Sequence, residues 1–189
     1  MLNSKPSPLR LNVRPAIDRD TAELAGLFRD QAEYQQQLSP HFAIVDGFDW
    51  STLVSRKIAQ RESAIFVCQS SQTIVGYLSV RHTRSVGDRA KPDLRRWIRR
   101  WVSPRPNRSI TPIQARSYGF VEDWYVAADW RQQGIGRRLW EAAQKWFEER
   151  EVKEIDTTIW VDNEPSIQAF ERLGFASVRV MMRKTLPQD

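Results

Sequence analysis

The sequence predicts an α/β or α+β protein with a mixed sheet, and two observations carry this prediction. Segments with strand-like alternation and segments with helical spacing follow one another, and in the second half of the chain they alternate regularly. The chain has 189 residues, of which 41% are hydrophobic and 28% charged. This length and composition are typical of one globular domain. We therefore expect residues 1–189 to form a single domain.

The composition excludes several classes of protein. With Cys68 as the single cysteine, the chain has no internal disulfide and no zinc site built from cysteines. With only two histidines in addition, we expect no metal. We find no apolar run long enough to span a bilayer and no secretory signal in the first residues. We therefore expect a cytoplasmic protein without a transmembrane segment.

Five segments of the first half carry a strand or helix pattern. Alternating apolar and polar residues mark the strands, and a polar stretch joins the last two as a hairpin. Apolar residues at helical spacing mark the two helices. In chain order the segments are strand 9–16, helix 18–36, helix 50–60, strand 64–68 and strand 73–82.

The second half alternates strands with helices. An aromatic-rich strand comes first, and Gly174 stands in the usual C-terminal position of the second helix. The last strand can pair within the chain or with a second subunit, which leaves a homodimer open. In chain order the segments are strand 118–126, helix 135–149, strand 153–161, helix 165–173 and strand 176–186.

One segment makes the chain basic. The formal net charge is +6, and residues 84 to 116 contain ten basic and two acidic side chains. We expect 84–117 to be a basic insertion between the third and fourth strands, with a helix over 92–102 that Pro104 ends. This helix either docks on an anionic partner (nucleic acid, an acidic protein or lipid headgroups) or packs its tryptophans on the body and leaves its arginines in water.

The turn from Arg131 to Arg138, with the sequence RQQGIGRR, lies between a predicted strand and a predicted helix. Backbone N–H groups at a helix N-terminus favour an anion, and Gly134 and Gly136 let a ligand approach the backbone closely. Phosphate fits such a turn. The spacing differs from that of the P-loop and of the dinucleotide fingerprint. The alternative is a tight turn that binds nothing.

Three segments together resemble the GNAT superfamily of N-acetyltransferases. The turn resembles its pyrophosphate motif, R/Q-x-x-G-x-G/A. Residues 163–175, an Asn before a short helix that ends in Leu-Gly-Phe, resemble its second signature, and 120–126 resembles its central strand. The order of elements also matches outside the insertion. Glu122 and Asp123 ahead of the turn look closest to the diamine (spermidine/spermine-like) branch.

The resemblance implies a mostly antiparallel sheet flanked by helices and a site for acetyl-CoA. Turn amides would hold the pyrophosphate, the central strand would pair with the pantetheine arm, and Asn163 would bond to that arm or cap the helix that follows. The residues expected to bind the cosubstrate are Trp124, Tyr125, Val126, Arg131, Gln132, Gln133, Gly134, Ile135, Gly136, Arg137, Asn163, Ser166 and Phe170.

Acetyl transfer to an amine needs a group that takes up the amine proton, and a carboxylate can do this. The resemblance places Glu122 in this role, with Asp123 as its neighbour. Because side chains alternate along a strand, we expect Asp123 on the opposite face. The alternative is that the carboxylate of Glu122 pairs with a nearby arginine and has no catalytic role. The backbone N–H near Val126 would stabilise the carbonyl oxygen.

Phe170 stands where the superfamily often has a tyrosine that acts as general acid. Phenylalanine cannot donate a proton, but a thiolate is a tolerable leaving group because a thiol has a pKa near 8.5. Ser166, Tyr125 or water could take over the role. We therefore expect an active enzyme without a tyrosine acid.

The acceptor predicted by the resemblance is a primary amine of a small molecule or protein. The segment from Asp18 to Asp49 contains seven acidic residues and two arginines. An acidic rim of this kind around the acceptor would attract a polyamine, a lysine side chain or an aminoglycoside. A solvated helix surface explains the same pattern. Two other functions stay open: an acyl-CoA sensor without turnover, and an acetyltransferase that docks on nucleic acid or the ribosome through its insertion.

Overall fold

The structure, a computed structural model, describes residues 11–39, 42–84 and 117–184. Its strands are β1 (Leu11–Pro15), β2 (Ser63–Ser70), β3 (Thr73–Arg84), β4 (Ser117–Val126) and β5 (Ile155–Thr157). Its α-helices are α1 (Thr21–Leu38), α2 (Trp50–Ala59), α3 (Ile135–Glu148) and α4 (Glu164–Glu171). One-turn 3-10 helices lie at Asp18–Asp20 and Ala128–Trp130.

The strands form one sheet in the order β1-β2-β3-β4-β5. The first four strands pair antiparallel with one another, and β5 pairs parallel with β4 over three residue pairs. The hairpin predicted around residues 69–72 is confirmed, since β2 ends at Ser70 and β3 begins at Thr73. The sheet is therefore mixed and mostly antiparallel, as the resemblance implied.

Helices cover both faces of the sheet. On one face, α3 packs Leu139 and Phe147 against β3 and β4 in a core that includes Leu78. On the other face, α1 and α2 pack Phe28 and Val54 against the same sheet. The strong apolar stripe of α3 explains its placement, because a stripe of this width is stable only against an apolar surface.

Phe147 of α3 packs closely over Gly119 of β4, where a Cβ atom would come within 2.5 Å of a ring carbon of Phe147. We therefore expect Gly119→Ala to lower the free energy of unfolding by about 1–3 kcal/mol, the usual cost of overpacking a core. The matched control is Gly26→Ala in α1, where a Cβ meets nothing within 4 Å and alanine favours the helix. Urea unfolding of both variants measures the difference, and equal stabilities would contradict the packing described.

Two predicted strands differ from the structure, and one predicted helix cannot be compared with it. The strand expected at 153–161 is shorter, Ile155–Thr157, because β5 pairs only with the first part of β4. The strand expected at 176–186 is wrong for residues 176–184, which form no strand. Its apolar side chains are exposed, Val178 by 89% and Met182 by 91%, and an alternating pattern gives a strand only where another strand pairs with it. The basic helix expected at 92–102 lies outside the described residues.

Candidate active site

A β-bulge in the middle of β4 shapes the site. Ser79 pairs with Asp123 and Val80 with Val121, so Glu122 is an extra residue in β4. A bulge of this kind turns two consecutive side chains toward the same side. The prediction that Asp123 lies on the face opposite Glu122 is therefore wrong, because strict alternation fails at the bulge.

Both carboxylates bind the same cation, Lys57 of α2. The Nζ atom of Lys57 lies 2.6 Å from Oε2 of Glu122 and 3.1 Å from Oδ2 of Asp123. The other oxygen of Glu122, Oε1, lies 2.9 Å from Nε of Arg81. Ser79 Oγ, wholly buried, lies 3.3 Å from Oε2 of Glu122 and 3.4 Å from Nζ of Lys57. This group of four charged side chains, which we call the bulge cluster, contains two acids and two bases.

The bulge cluster shifts the pKa values of its members. Desolvation raises the pKa of Asp123 above its usual value, and the negative charge of Glu122 adds to the rise, although Lys57 opposes it. Burial would lower the pKa of Lys57, but the attraction of Asp123 and Glu122 outweighs it, so the net pKa is raised. Lys57 therefore carries its charge at neutral pH, and Asp123 is a stronger base than an ordinary aspartate.

Three members of the cluster, Lys57, Glu122 and Asp123, form the floor of an open pocket of about 230 Å³. The walls come from α1, α2 and the segment before α2, and they are largely aromatic or aliphatic. The described residues of the walls include Phe28, Ala32, Phe42, Trp50 and Leu53. We call this the acceptor pocket.

A larger cleft of about 960 Å³ lies beside it. Among the described residues, its walls are the second half of α1, the end of β4, the turn before α3, α3 as far as Gln144, and α4 from its N-cap Asn163 to Leu173 just beyond its end. The two cavities share Gln31 and Gln35 of α1 as lining residues. A molecule that fills the cleft can therefore reach a molecule in the acceptor pocket.

The edge of β4 that faces this cleft offers backbone groups. The last pairing of β4 with β5 is at Val121, so residues 122–126 lie beyond it. Because Ala127 N–H donates to the Val75 carbonyl at 3.0 Å, the alternation of antiparallel bonds turns the N–H and C=O of Trp124 and Val126 away from β3. The N–H and C=O of Trp124 and the N–H of Val126 can pair with an extended ligand, whereas the Val126 carbonyl already accepts from Arg131 Nε.

The glycine turn meets the requirements of an anion site. Gly134 has a φ of +75°, and a Cβ atom on it would meet nothing within 4 Å. The space above it is therefore open to a ligand, next to the N–H groups of the first turn of α3, which have no partner inside the helix. Gly136 has a different reason to be glycine: a Cβ there would lie 3.0 Å from the indole of Trp124.

Arg131 does not extend toward these amides. Its Nε donates to the Val126 carbonyl at 3.1 Å, and its guanidinium lies over the rings of Tyr34 and Tyr125, at 4.9 and 5.7 Å from their centroids. Arg131 thus connects α1 to the end of β4, next to the junction of the two cavities. Arg137 also lines the cleft. Its side chain is 81% exposed and pairs with Glu141, so its charge stays accessible to a ligand.

Not every predicted residue lines the cleft. Asn163 does, and its side chain also caps α4 by accepting from Ser166 N–H at 3.3 Å, so its two expected roles are compatible. Phe170 is buried and stacks edge-on against Trp124 and Phe175. Gln133 turns its amide back to the Asp129 carbonyl. The cleft lining includes neither Phe170 nor Gln133. The predicted residues that do line it are Trp124, Tyr125, Val126, Arg131, Gln132, Gly134, Ile135, Gly136, Arg137, Asn163 and Ser166.

Sequence reasoning missed the residues that lie far along the chain from the motifs. Lys57 is 65 positions from Glu122, and no local pattern connects the two. Gln31 and Tyr34 lie in the predicted helix 18–36, to which the sequence assigned only an acidic rim. The one available signal for Lys57 was its position as a basic residue in the last turn of the helix that follows this rim.

A long cleft at a helix N-terminus thus lies beside a pocket whose floor carries two carboxylates. Residues 22–175 match the acetyltransferase (GNAT) family. The chain therefore belongs to the GNAT acetyltransferase family, and it is an acetyl-CoA-dependent N-acetyltransferase.

Individual relatives agree with this assignment. Aminoglycoside N(6')-acetyltransferase type 1 of Stenotrophomonas maltophilia is 23% identical over 137 residues, which are 72% of this chain and 74% of the relative. A mutant of the BH1408 protein from Bacillus halodurans has the same fold, with a TM-score of 0.73 and 18% identity over 93% of this chain and 99% of the other. Aminoglycoside N-acetyltransferase AAC(6')-Iy in complex with CoA gives a TM-score of 0.64 and 16% identity, over 96% and 98%.

The relatives that carry a substrate in their names are aminoglycoside acetyltransferases and a ribosomal-protein-alanine N-acetyltransferase from Brucella melitensis biovar Abortus 2308. The comparisons therefore support the family and do not support the diamine branch in particular. Within the described parts of the chain, none of the helices combines the length and apolar character that a membrane crossing requires.

Proposed function

We propose that this enzyme transfers the acetyl group of acetyl-CoA to the primary amine of a small molecule by direct attack, without a tyrosine acid. The observation that carries the proposal is the bulge, which brings Glu122 and Asp123 to the floor of a pocket that meets the cleft at Gln31 and Gln35. Acetyl-CoA supplies the acetyl group as a thioester.

The cleft fits this cosubstrate. The open space above Gly134 and the amides of the first turn of α3 suit a pyrophosphate, and Arg137 adds positive charge. The cleft-facing backbone groups of Trp124 and Val126 suit a pantetheine arm, and the N–H of Val126 can donate to a carbonyl oxygen.

Asp123 is the better proton acceptor of the two acids. Both oxygens of Glu122 are engaged by cations, Lys57 and Arg81, as the ion-pair alternative expected. The raised pKa of Asp123 moves this group toward the working pH, where a general base is most effective. Glu122 then holds Lys57 in place beside Asp123 and pairs separately with Arg81.

The acceptor of the named relatives is a second candidate. An aminoglycoside is a large polycation, and the match to the enzyme from Stenotrophomonas maltophilia favours it over a protein amine. The acyl-CoA sensor has no support from the family match. Docking through the insertion concerns residues outside the described parts.

An amine panel tests the proposal. Purified enzyme is incubated with acetyl-CoA and one amine at a time, with release of the CoA thiol and formation of the N-acetylated amine measured together. We expect equal amounts of both with at least one small primary amine. Thiol release without an acetylated amine, or acetylation of protein amines alone, would contradict the proposal.

Phe170→Tyr tests the absence of a tyrosine acid. The ring of Phe170 is 94% buried between aromatic neighbours, so a hydroxyl there loses water and we expect a stability loss of about 1–3 kcal/mol. We expect no increase in kcat with the best amine of the panel. An increase on the order of the 10²-fold that general acids typically contribute would show that the site does lack a proton donor.

A further inference from the structure

The charges in the acceptor pocket do not match a polycationic substrate. Its two carboxylates already pair with two cations, Lys57 on the floor and Arg81, which does not line the pocket, so the bulge cluster as a whole is neutral. The groups that face Lys57 are Glu122 and Asp123 from β4, Ser79 from β3, and the ring of Phe28 from α1, 5.9 Å from Nζ. An ammonium group of the chain itself thus lies between the carboxylates.

The acids of the expected rim do not replace them. Four of the seven acids between Asp18 and Asp49 have partners within the chain. Asp20 binds Arg14 at 2.6 Å and Glu33 pairs with Arg29 at 3.9 Å. Glu23 accepts from Ile74 N–H, and Asp49 caps α2. Among the residues that the structure describes, none of the seven lines the acceptor pocket or the cleft.

The volume and the wall residues of the acceptor pocket also argue against a large polycationic substrate. A volume of about 230 Å³ lies below the range of about 300–1,000 Å³ that holds a drug-sized ligand. Apart from the cluster, the described walls are aromatic, aliphatic or uncharged amide groups. Such walls favour a ligand with an apolar body and one cationic group. The cationic group of this ligand can also lie against the ring of Trp50 or Phe42.

Building on the proposed function, we infer that Lys57 is a specificity-determining residue: its ammonium fills the carboxylate subsite of the acceptor pocket, so the enzyme selects a small amine with one cationic group on an apolar body. A polyamine or aminoglycoside would bring further cations to a floor that has no negative charge left for them. Removing Lys57 creates a net negative subsite for a second cation.

Binding of two probe amines tests this inference. Phenethylamine and spermidine are titrated by calorimetry at pH 8 into protein saturated with CoA, using the wild type, Lys57→Gln and Arg56→Gln. Arg56 is the matched control, since it lies exposed beside Lys57 on α2 and its loss removes the same charge. We expect the wild type to bind phenethylamine more tightly. In Lys57→Gln we expect the ratio of spermidine affinity to phenethylamine affinity to rise by about tenfold or more. The free energy of a tenfold change is only a modest fraction of the attraction between a cation and one unpaired carboxylate.

Several results would overturn the inference. They are tighter binding of spermidine than of phenethylamine by the wild type, no measurable phenethylamine binding, or an equal change of the ratio in Arg56→Gln and Lys57→Gln. If Lys57→Gln does not fold, Lys57→Arg, which keeps the charge, must retain the wild-type preference, and loss of that preference would overturn the inference. Turnover does not enter these titrations, so an enzyme that binds as expected and fails to acetylate any amine would contradict the proposed function alone.

Discussion

Replacing Asp123 by asparagine is expected to lower kcat/KM for the acceptor amine by about 10²–10⁴-fold, the usual contribution of a general base. Asparagine keeps the shape of the side chain and cannot take up the proton. Asp123 is the candidate because desolvation raises its pKa and because it lies on the floor of the acceptor pocket. Initial rates of thiol release measure the effect.

The pH dependence gives the same prediction a second readout. As the pH falls through the raised pKa of Asp123, the carboxylate is protonated and can no longer accept a proton, so wild-type activity falls on the acid side. An ordinary aspartate has a pKa near 3.9. The activity of this enzyme should begin to fall at a higher pH than it would with such an aspartate. In Asp123→Asn we expect this component of the acid limb to be absent.

Two controls make the Asp123 result specific. Asp18→Asn removes an exposed carboxylate that lines neither cavity, and we expect wild-type rates. Glu122→Gln removes the partner of Lys57 and Arg81, and we expect a smaller loss of kcat than in Asp123→Asn. A larger loss in Glu122→Gln would make Glu122 the proton acceptor instead.

Replacing Gly136 by glutamate is expected to weaken acetyl-CoA binding by about 100-fold or more, which is about 2.7 kcal/mol. Two effects add. A Cβ atom at this position would lie 3.0 Å from the indole of Trp124, and the new carboxylate stands at a helix N-terminus that we assign to a pyrophosphate. Calorimetric titration of acetyl-CoA measures the loss, with micromolar binding, about −8 kcal/mol, expected for the wild type.

The matched control is Gln72→Glu, which adds the same charge in the exposed turn between β2 and β3. We expect unchanged affinity for acetyl-CoA. Arg137→Gln separates charge from packing, because this exposed side chain lines the cleft without supporting Trp124. A Gly136→Glu variant that folds and binds as the wild type does would show that the turn does not hold the cosubstrate.

Local signals predicted the parts of the site that are built locally. Gly134 explains the glycine turn and the start of α3 at Ile135. Its backbone lies in the left-handed region, which tight turns use and which glycine adopts at little cost. Asn163 followed by Pro165 predicted a helix start, and the cap is there. Each of these features depends on residues within a few positions of one another.

The bulge cluster could not be predicted in the same way. The bulge depends on the register between β3 and β4, which are separated in sequence by the basic segment, and a shift of one residue changes which side chains share a face. Lys57 reaches the carboxylates only because α2 packs on the side of the sheet toward which the bulge turns them. The local sequence around a charged residue does not predict which distant residues it will pair with in the folded protein.

The most direct test of the two-cavity site is a crystal structure of this enzyme with CoA bound. We expect the pyrophosphate on the backbone amides between Gln132 and Arg137, the pantetheine arm along Trp124 and Val126, and the thiol at the junction beside Gln31 and Gln35, facing the acceptor pocket. A thiol that ends away from this junction, with Asp123 out of reach of any amine beside it, would contradict the site described.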